Sequence, residues 1–253
     1  MIEFRLIPIL LLSGNGFVKT INFKNPTYLG DSLNIIKLLN EKEVDELVIL
    51  NIDGNRNTSI NYSKLSEIAS ECFSPLSYGG GISSVDSASK ILESGFEKVI
   101  LNTHSLNNKL LKAISNKYGS SSTAVCVDVK KSFFGSNSVY IDKGKKRINS
   151  DIIDHVLRIQ DNGAGEIILQ SISRDGTYKG YDLDLIETVT NKLEIPVVAA
   201  GGAGNFQDFR NAIQSGASAV AAGSLFSFKG THRAVLINYP TRSTLIRELY
   251  EAK

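Results

Sequence analysis

The sequence predicts a (β/α)8 TIM barrel built from two half-barrels, and three observations carry that reading. The chain has 253 residues, and one barrel of this kind runs to about 250. Eight short apolar runs each lead into a stretch of helical period, the pattern of a buried parallel sheet wrapped by helices. The third observation is an internal repeat. Pro75 to Thr103 matches Pro196 to Ser224 at an offset of 121: Pro75 against Pro196, Gly80-Gly81 against Gly201-Gly202, Gly95 against Gly216, Asn102 against Gly223. Glu46 and the apolar run behind it match Glu166 and its run at an offset of 120. A period this long is half a barrel, whereas solenoid repeats are much shorter. A doubly wound open sheet shares the strand–helix alternation but would not be expected to repeat at half length. One domain is therefore expected over 1–253, with halves of about 1–120 and 121–253.

In order, the first strand is expected over 5–11, an apolar run behind Arg5. The stretch from Ser13 to Gly30 is long, glycine-containing and mostly polar, and reads as a functional lid loop. Helix 31–42, strand 46–52, helix 62–73, strand 76–78, helix 84–95, strand 98–102 and helix 107–118 complete the first half. Strand 123–129, helix 149–162, strand 166–171, helix 182–192, strand 197–200, helix 205–215, strand 219–223 and helix 241–252 make the second. The strands are near-continuous Val, Ile, Leu or Ala runs, and the stretches between them alternate polar and apolar residues at helical spacing.

Composition removes several function classes. With 42% hydrophobic and 21% charged residues, the chain reads as an ordinary globular protein. A net charge of +2 with dispersed lysines and arginines gives no case for nucleic acid or an anionic membrane. The exception, Lys143 to Arg147, reads as a solvated loop that, on the active face, would attract an anionic substrate. No apolar run approaches the ~20 residues of a membrane span, and M-I-E-F-R lacks the order of a signal peptide. Cys72 and Cys126 lie in apolar runs and read as buried thiols of a reducing cytoplasm. His104 and His232 are isolated, so neither a metal site nor a cofactor is expected.

In such a barrel the chemistry lies at the carboxyl ends of the strands. Asp128 ends the fifth strand in C-V-D-V-K, and Asp175 follows the sixth in S-R-D-G-T. The glycine turns offer backbone N–H groups able to hold a phosphate. The plainer alternative, that these glycines only permit tight turns, does not account for their recurrence in pairs. At the other end, Arg5, Glu46, Lys98 and Glu166 begin strands one, two, four and six. Two positive and two negative side chains on one ring can close it as a structural ion-pair cluster or as a gate. Buried ion pairs rarely improve on apolar packing, which favours the gate.

These motifs together resemble the cyclase subunit of imidazole glycerol phosphate synthase over nearly the whole chain. They are V-K-T-I-N-F at 18–23, D-E-L-V at 45–48, G-G-G-I at 79–82, N-T at 102–103, the aspartate at 128, G-A-G-E-I at 163–167, S-R-D-G-T at 173–177, Y-D at 181–182 and G-G-A-G at 201–204. The resemblance implies a substrate with a phosphate at each end and ammonia supplied through the barrel by a class-I glutaminase docked on the other face. It implies one phosphate site of Gly80, Gly81, Asn102 and Thr103, and another of Asp175, Gly176, Gly201, Gly202, Gly223 and Ser224. It places Lys19 in the lid loop and makes Arg5, Glu46, Lys98 and Glu166 the ammonia gate.

The resemblance also implies two catalytic aspartates, and only one is present. The fifth-strand acid is Asp128; the first-strand position is Leu11. Ring closure needs a proton donor and acceptor facing each other across the substrate, and leucine is neither. Asn51 stands where the family has aspartate, Ile100 where it has a small polar residue, and Gln170 and Ser173 where it has threonine and aspartate. Asp53, two residues past Asn51, is a candidate substitute acid.

The run from Lys229 to Pro240 is a second departure. It resembles a divergent branch, the acetamidino modification proteins encoded with surface-polysaccharide genes, which work with a glutaminase-like protein and a third, ATP-using amidotransferase on a nucleotide-linked sugar. Val235-Leu236-Ile237 reads either as an exposed docking edge or as a cover on the barrel mouth. Three functions stay open: an ammonia-accepting subunit for acetamidino formation, a cyclase of histidine biosynthesis, and a non-catalytic activator that binds a phosphorylated ligand and stimulates its glutaminase.

Overall fold

The computed structural model describes residues 5–54, 60–132 and 135–251. The first strand, β1 (Arg5–Ser13), turns at Gly14 into the hairpin β2 (Gly16–Ile21) and β3 (Lys24–Asp31) before α1 (Ser32–Asn40). Then come β4 (Leu47–Asn51), α2 (Tyr62–Glu71), β5 (Leu76–Gly79), α3 (Val85–Glu93), β6 (Lys98–Leu101) and α4 (Asn108–Tyr118). The second half opens the same way: β7 (Thr123–Lys131) extends into β8 (Asn137–Ile141) and β9 (Lys146–Arg147). It continues through α5 (Ile152–Asp161), β10 (Glu166–Ser171), α6 (Leu183–Thr190), β11 (Val197–Ala200), α7 (Phe206–Gln214) and β12 (Ala219–Ala222). A short α8 (Ser224–Ser227), the hairpin β13 (Phe228–Lys229) and β14 (Ala234–Val235), and α9 (Arg242–Ile246) follow. The last residue of the helix expected over 241–252 lies outside the described residues.

Strands β1, β4, β5, β6, β7, β10, β11 and β12 pair in parallel in that order, and β12 returns to β1. The sheet therefore closes as the expected (β/α)8 barrel. Because side chains alternate across a strand, each barrel strand feeds two apolar layers. One fills the barrel with Ile7, Ile9, Val48, Ile100, Ala124, Cys126, Ile168, Val198, Ala200, Ala219 and Ala221. The other lies between barrel and helices and includes Leu6, Leu47, Tyr78, Ile167, Leu169 and Phe209.

The repeat is structural as well as sequential. α3 and α7 span matching positions at the same offset of 121, and so do β5 with β11 and β6 with β12. Both helices start with a capping box, Ser84 with Ser87 and Asn205 with Asp208, which satisfies orphan N–H groups of the first turn. Gly80, Gly81, Gly201 and Gly202 all have positive φ. A side chain at Gly202 would meet the Gly180 carbonyl at 2.1 Å.

Two expectations change. The stretch 13–30 is no loop: β2 pairs antiparallel with β1 and β3 with β2. The basic cluster 143–147 falls on the corresponding hairpin of the second half, at the β8–β9 turn and in β9. The two hairpins meet, since a side chain added at Gly144 would touch Phe23 and Ile172 at 3.1 Å.

Candidate functional site

At the amino end of the barrel, parallel strands bring their first residues together. Arg5 Nη1 bonds Glu46 Oε2 at 2.5 Å and Arg5 Nη2 bonds Glu166. Lys98 Nζ lies 3.2 Å from Glu46 and 3.0 Å from Glu166. Four ion pairs thus close one ring, and the Ser77 hydroxyl donates to Glu46 at 3.0 Å. The carboxylate side chains are buried, 6% and 9% exposed, while Arg5 and Lys98 reach solvent at 34% and 20%. Burial pulls the Arg5 guanidinium down, but its bonds to Glu166 and Glu46 outweigh that and raise its pKa. All four residues singled out in the sequence meet here.

The carboxyl end opens into a cavity of about 1240 Å³. β10 links the two ends: Glu166 in the ring, Ile168 in the apolar fill, Gln170 in the cavity wall. β1 does the same with Arg5, Ile7, Ile9 and Leu11. Leu11 packs on the barrel fill, four strands away from Asp128 in either direction around the barrel.

Asp128 accepts a bond from the Asn102 amide at 3.1 Å and from the Cys126 thiol at 3.5 Å. Burial raises its pKa to about 7; Cys126 and Asn102 pull it down and the Asp175 charge adds to the rise. Burial also raises the Cys126 thiol well above its usual value, with the Asp128 charge adding to it, so the sulfur stays protonated and donates. Gln170 is Asp128's neighbour in the β7–β10 register. Its Nε2 is buried and has no hydrogen-bond partner among the described residues.

Gly80, Gly81, Asn102 and Thr103 line one part of the cavity, and Gly176, Gly201, Gly202, Gly223 and Ser224 another. The Asn102 side chain is committed to Asp128 and the Cys126 carbonyl, so an anion role for Asn102 rests on its backbone. Asp175, expected at the second phosphate site, also lines the cavity, and its polar groups bond within the protein. Its N–H donates to Ser171 and Ile172 carbonyls, and its carboxylate takes Lys19 Nζ at 2.8 and 3.1 Å. Asp175 thus anchors this turn to β2. Lys19 lies in strand β2, only 5% exposed, and its stem crosses Gly223, where a side chain would meet Lys19 Cε at 2.8 Å.

Asp53, the candidate substitute acid, lies at the β1–β2 turn. Its carboxylate takes the Ser13 hydroxyl at 3.0 Å and the Gly14 N–H at 2.6 Å, which closes the β1–β2 turn. Asn51 bonds the Tyr78 hydroxyl. Lys143 and Lys146, from the basic cluster expected either as a solvated loop or as an attractor of anions on the active face, line the cavity. Sequence reasoning missed Arg233, which reaches the cavity wall from the β13–β14 hairpin. That hairpin puts Arg233 at the mouth, and Val235 and Leu236 remain 45% and 44% exposed.

Fold and mouth define a class: a half-repeated (β/α)8 barrel with an ion-paired ring at one end and an acid-bearing cavity at the carboxyl ends of its strands. The chain belongs to the histidine biosynthesis protein family, whose model matches residues 5–233. It is 45% identical over 243 residues, 95% of this chain and 97% of the other, to a provisionally named imidazole glycerol phosphate synthase subunit hisF2 of Pseudomonas aeruginosa. A provisionally named subunit hisF3 of Vibrio vulnificus is 44% identical over 247 residues, 96% and 95% of the two chains. The imidazole glycerol phosphate synthase subunit HisF of Dictyoglomus thermophilum is 36% identical over 236 residues, 92% of each. Among the described residues no helix is long and apolar enough to cross a membrane.

Proposed function

We propose that this chain is the ammonia-accepting subunit of a synthase whose mouth has left ordinary imidazole ring closure, and that it serves acetamidino formation on a nucleotide-linked sugar of a surface polysaccharide. The observation that carries the reading is the pairing of an intact ring with Leu11 across the barrel from Asp128. Ring closure needs an acid and a base on opposite sides of the substrate. Leu11 is neither, and Asp53 is held at the β1–β2 turn. Ammonia enters past Arg5, Glu46, Lys98 and Glu166, crosses the alkyl fill, and reaches Asp128 and Gln170.

The partners follow from the chemistry. A class-I glutaminase docks on the ring face, where Phe73, 85% exposed in the loop leading to β5, offers an aromatic contact. An amide oxygen gives way to ammonia only if it leaves as a better group such as phosphate. A third, ATP-using amidotransferase supplies that activation, and the two glycine turns hold the anionic parts of the ligand.

A second reading, a working cyclase of histidine biosynthesis, is favoured by one observation: Asp128 at about 7 is poised to give and take protons near neutrality. One experiment separates the two. The purified chain is incubated with the phosphoribulosyl-formimino substrate of the ordinary cyclase and an ammonium salt, and imidazole product is followed. The first reading expects none from the wild type and a gain in Leu11→Asp. Product from the wild type at cyclase rates overturns it in favour of the second.

A further inference from the structure

We propose that Arg233 is a positioning residue that makes the second glycine turn the stronger of two anion sites, acting through Ser224. The proposal rests on the reading of the two turns as anion cradles, and it adds an asymmetry between them that the repeat does not predict.

The guanidinium is held on every side. Nη1 donates to the Gly176 carbonyl at 2.8 Å and Nη2 to Ser224 Oγ at 3.2 Å. The Tyr178 ring lies 4.9 Å from it and the Phe228 ring 4.7 Å, both within cation–π range. The Tyr178 hydroxyl donates to the Ser224 carbonyl at 3.1 Å. The backbone also bends to deliver this residue: Arg233 has φ +54 and Tyr178 φ +59, a region that side-chain-bearing residues seldom occupy. The Arg233 N–H closes its turn onto the Gly230 carbonyl at 3.1 Å. One hairpin therefore ties together the loop after β10 and the loop after β12, the two segments that form the second cradle.

The consequence for an anion runs through Ser224, which lines the cavity. Its oxygen accepts a charge-assisted bond, which leaves its own proton to donate elsewhere and polarises that O–H. The nearest carboxylate in this loop, Asp175, is already neutralised by Lys19.

The first half makes the contrast. The residue 121 before Ser224 is Thr103, and among the described residues its Oγ1 accepts from a neutral backbone donor, the Asp142 N–H at 3.1 Å. The same hydroxyl position is thus polarised by a cation in one half and by an amide in the other. A phosphoryl group should bind the second cradle more tightly.

Titration of the full chain with inorganic phosphate, followed by 31P NMR and calorimetry, tests this. The wild type is expected to bind at two sites of unequal affinity. Thr103→Ala should weaken the poorer site. Arg233→Ala should weaken the better one about tenfold and leave the other alone, with unchanged thermal unfolding. Arg233→Lys, which keeps the charge without the fork, should recover part of the loss. Arg233→Ala in the Ser224→Ala background should add little, because Arg233 acts through that hydroxyl. Equal binding by wild type and Arg233→Ala, or losses that add fully in the double variant, overturns the Arg233 proposal alone. Absence of phosphate binding by the wild type overturns the cradle reading and this proposal with it. If Arg233→Ala does not fold, Arg233→Lys decides by the same comparison.

Discussion

The two ends of this barrel are made by the same strands under opposite rules. In the ring, each carboxylate has two cations and each cation two carboxylates. In the mouth, Asp128 has an amide and a thiol, Gln170 Nε2 has no partner among the described residues, and Leu11 offers only carbon. Burial acts on both ends, yet Arg5 stays charged because carboxylates surround it, while Asp128 is pushed toward its protonated form because no cation bonds it among the described residues. A saturated end has its charges met within the chain. An unsaturated end is kept that way at a cost in stability, which is the usual mark of groups reserved for a ligand.

The contrast breaks hardest at Lys98. Lys98→Met leaves Glu46 and Glu166, both buried, sharing Arg5 alone. Removing one partner from a buried ion network costs about 3–5 kcal/mol, and urea unfolding should report that, while Lys98→Arg should stay near the wild type. A loss within 0.5 kcal/mol, the usual surface value, would reduce the ring to an exposed cluster and remove half of the comparison.

Asp128 gives the next effect, with a definite sign. Its folded pKa of about 7 lies above the roughly 3.9 of an unfolded aspartate. The folded state therefore keeps a proton that the unfolded chain has released. The stability this confers is complete below about pH 4, declines as pH rises, and is gone above about pH 7. The shift corresponds to about 4 kcal/mol at most. Unfolding free energies at pH 4.5 and pH 8 should fall more steeply for the wild type than for Asp128→Asn. Parallel slopes would mean that Asp128 is ionised and well compensated, as saturated as the ring.

Both the legibility of this molecule and its gaps follow from the range over which each feature is decided. Strand identity is local, so β10 and β11 fall on the expected residues and the ring could be read from charge type at strand starts. The β2–β3 hairpin was hidden because most of β3 is exposed and polar, so it has no apolar run to betray it. Lys19 looked like a lid residue because nothing near it in sequence explains a buried lysine; its partner, Asp175, is 156 residues away. Asp53 looked available for the same reason, until Ser13 and Gly14 claimed it. Leu11 was legible as a loss, but that Gln170 beside Asp128 lacks a partner is a property of packing and not of any motif.

Gln170 supplies the smallest and sharpest test. Its amide is 7% exposed, with Nε2 against the Gly201 turn, where an added side chain would sit 2.7 Å away. A buried donor without a partner costs about 1–3 kcal/mol, and an apolar side chain of similar shape removes that penalty. Gln170→Leu should therefore unfold at higher urea, by about 1 kcal/mol, even though it deletes a polar group from the core. The same change should lower ligand-dependent stabilisation, since the donor is what a bound carbonyl or phosphoryl oxygen would satisfy. A stabilised variant with weaker ligand response is the trade expected of a site kept unsatisfied for use. A destabilised variant would mean that the amide is bonded in the folded protein, and the mouth would then obey the same rule as the ring.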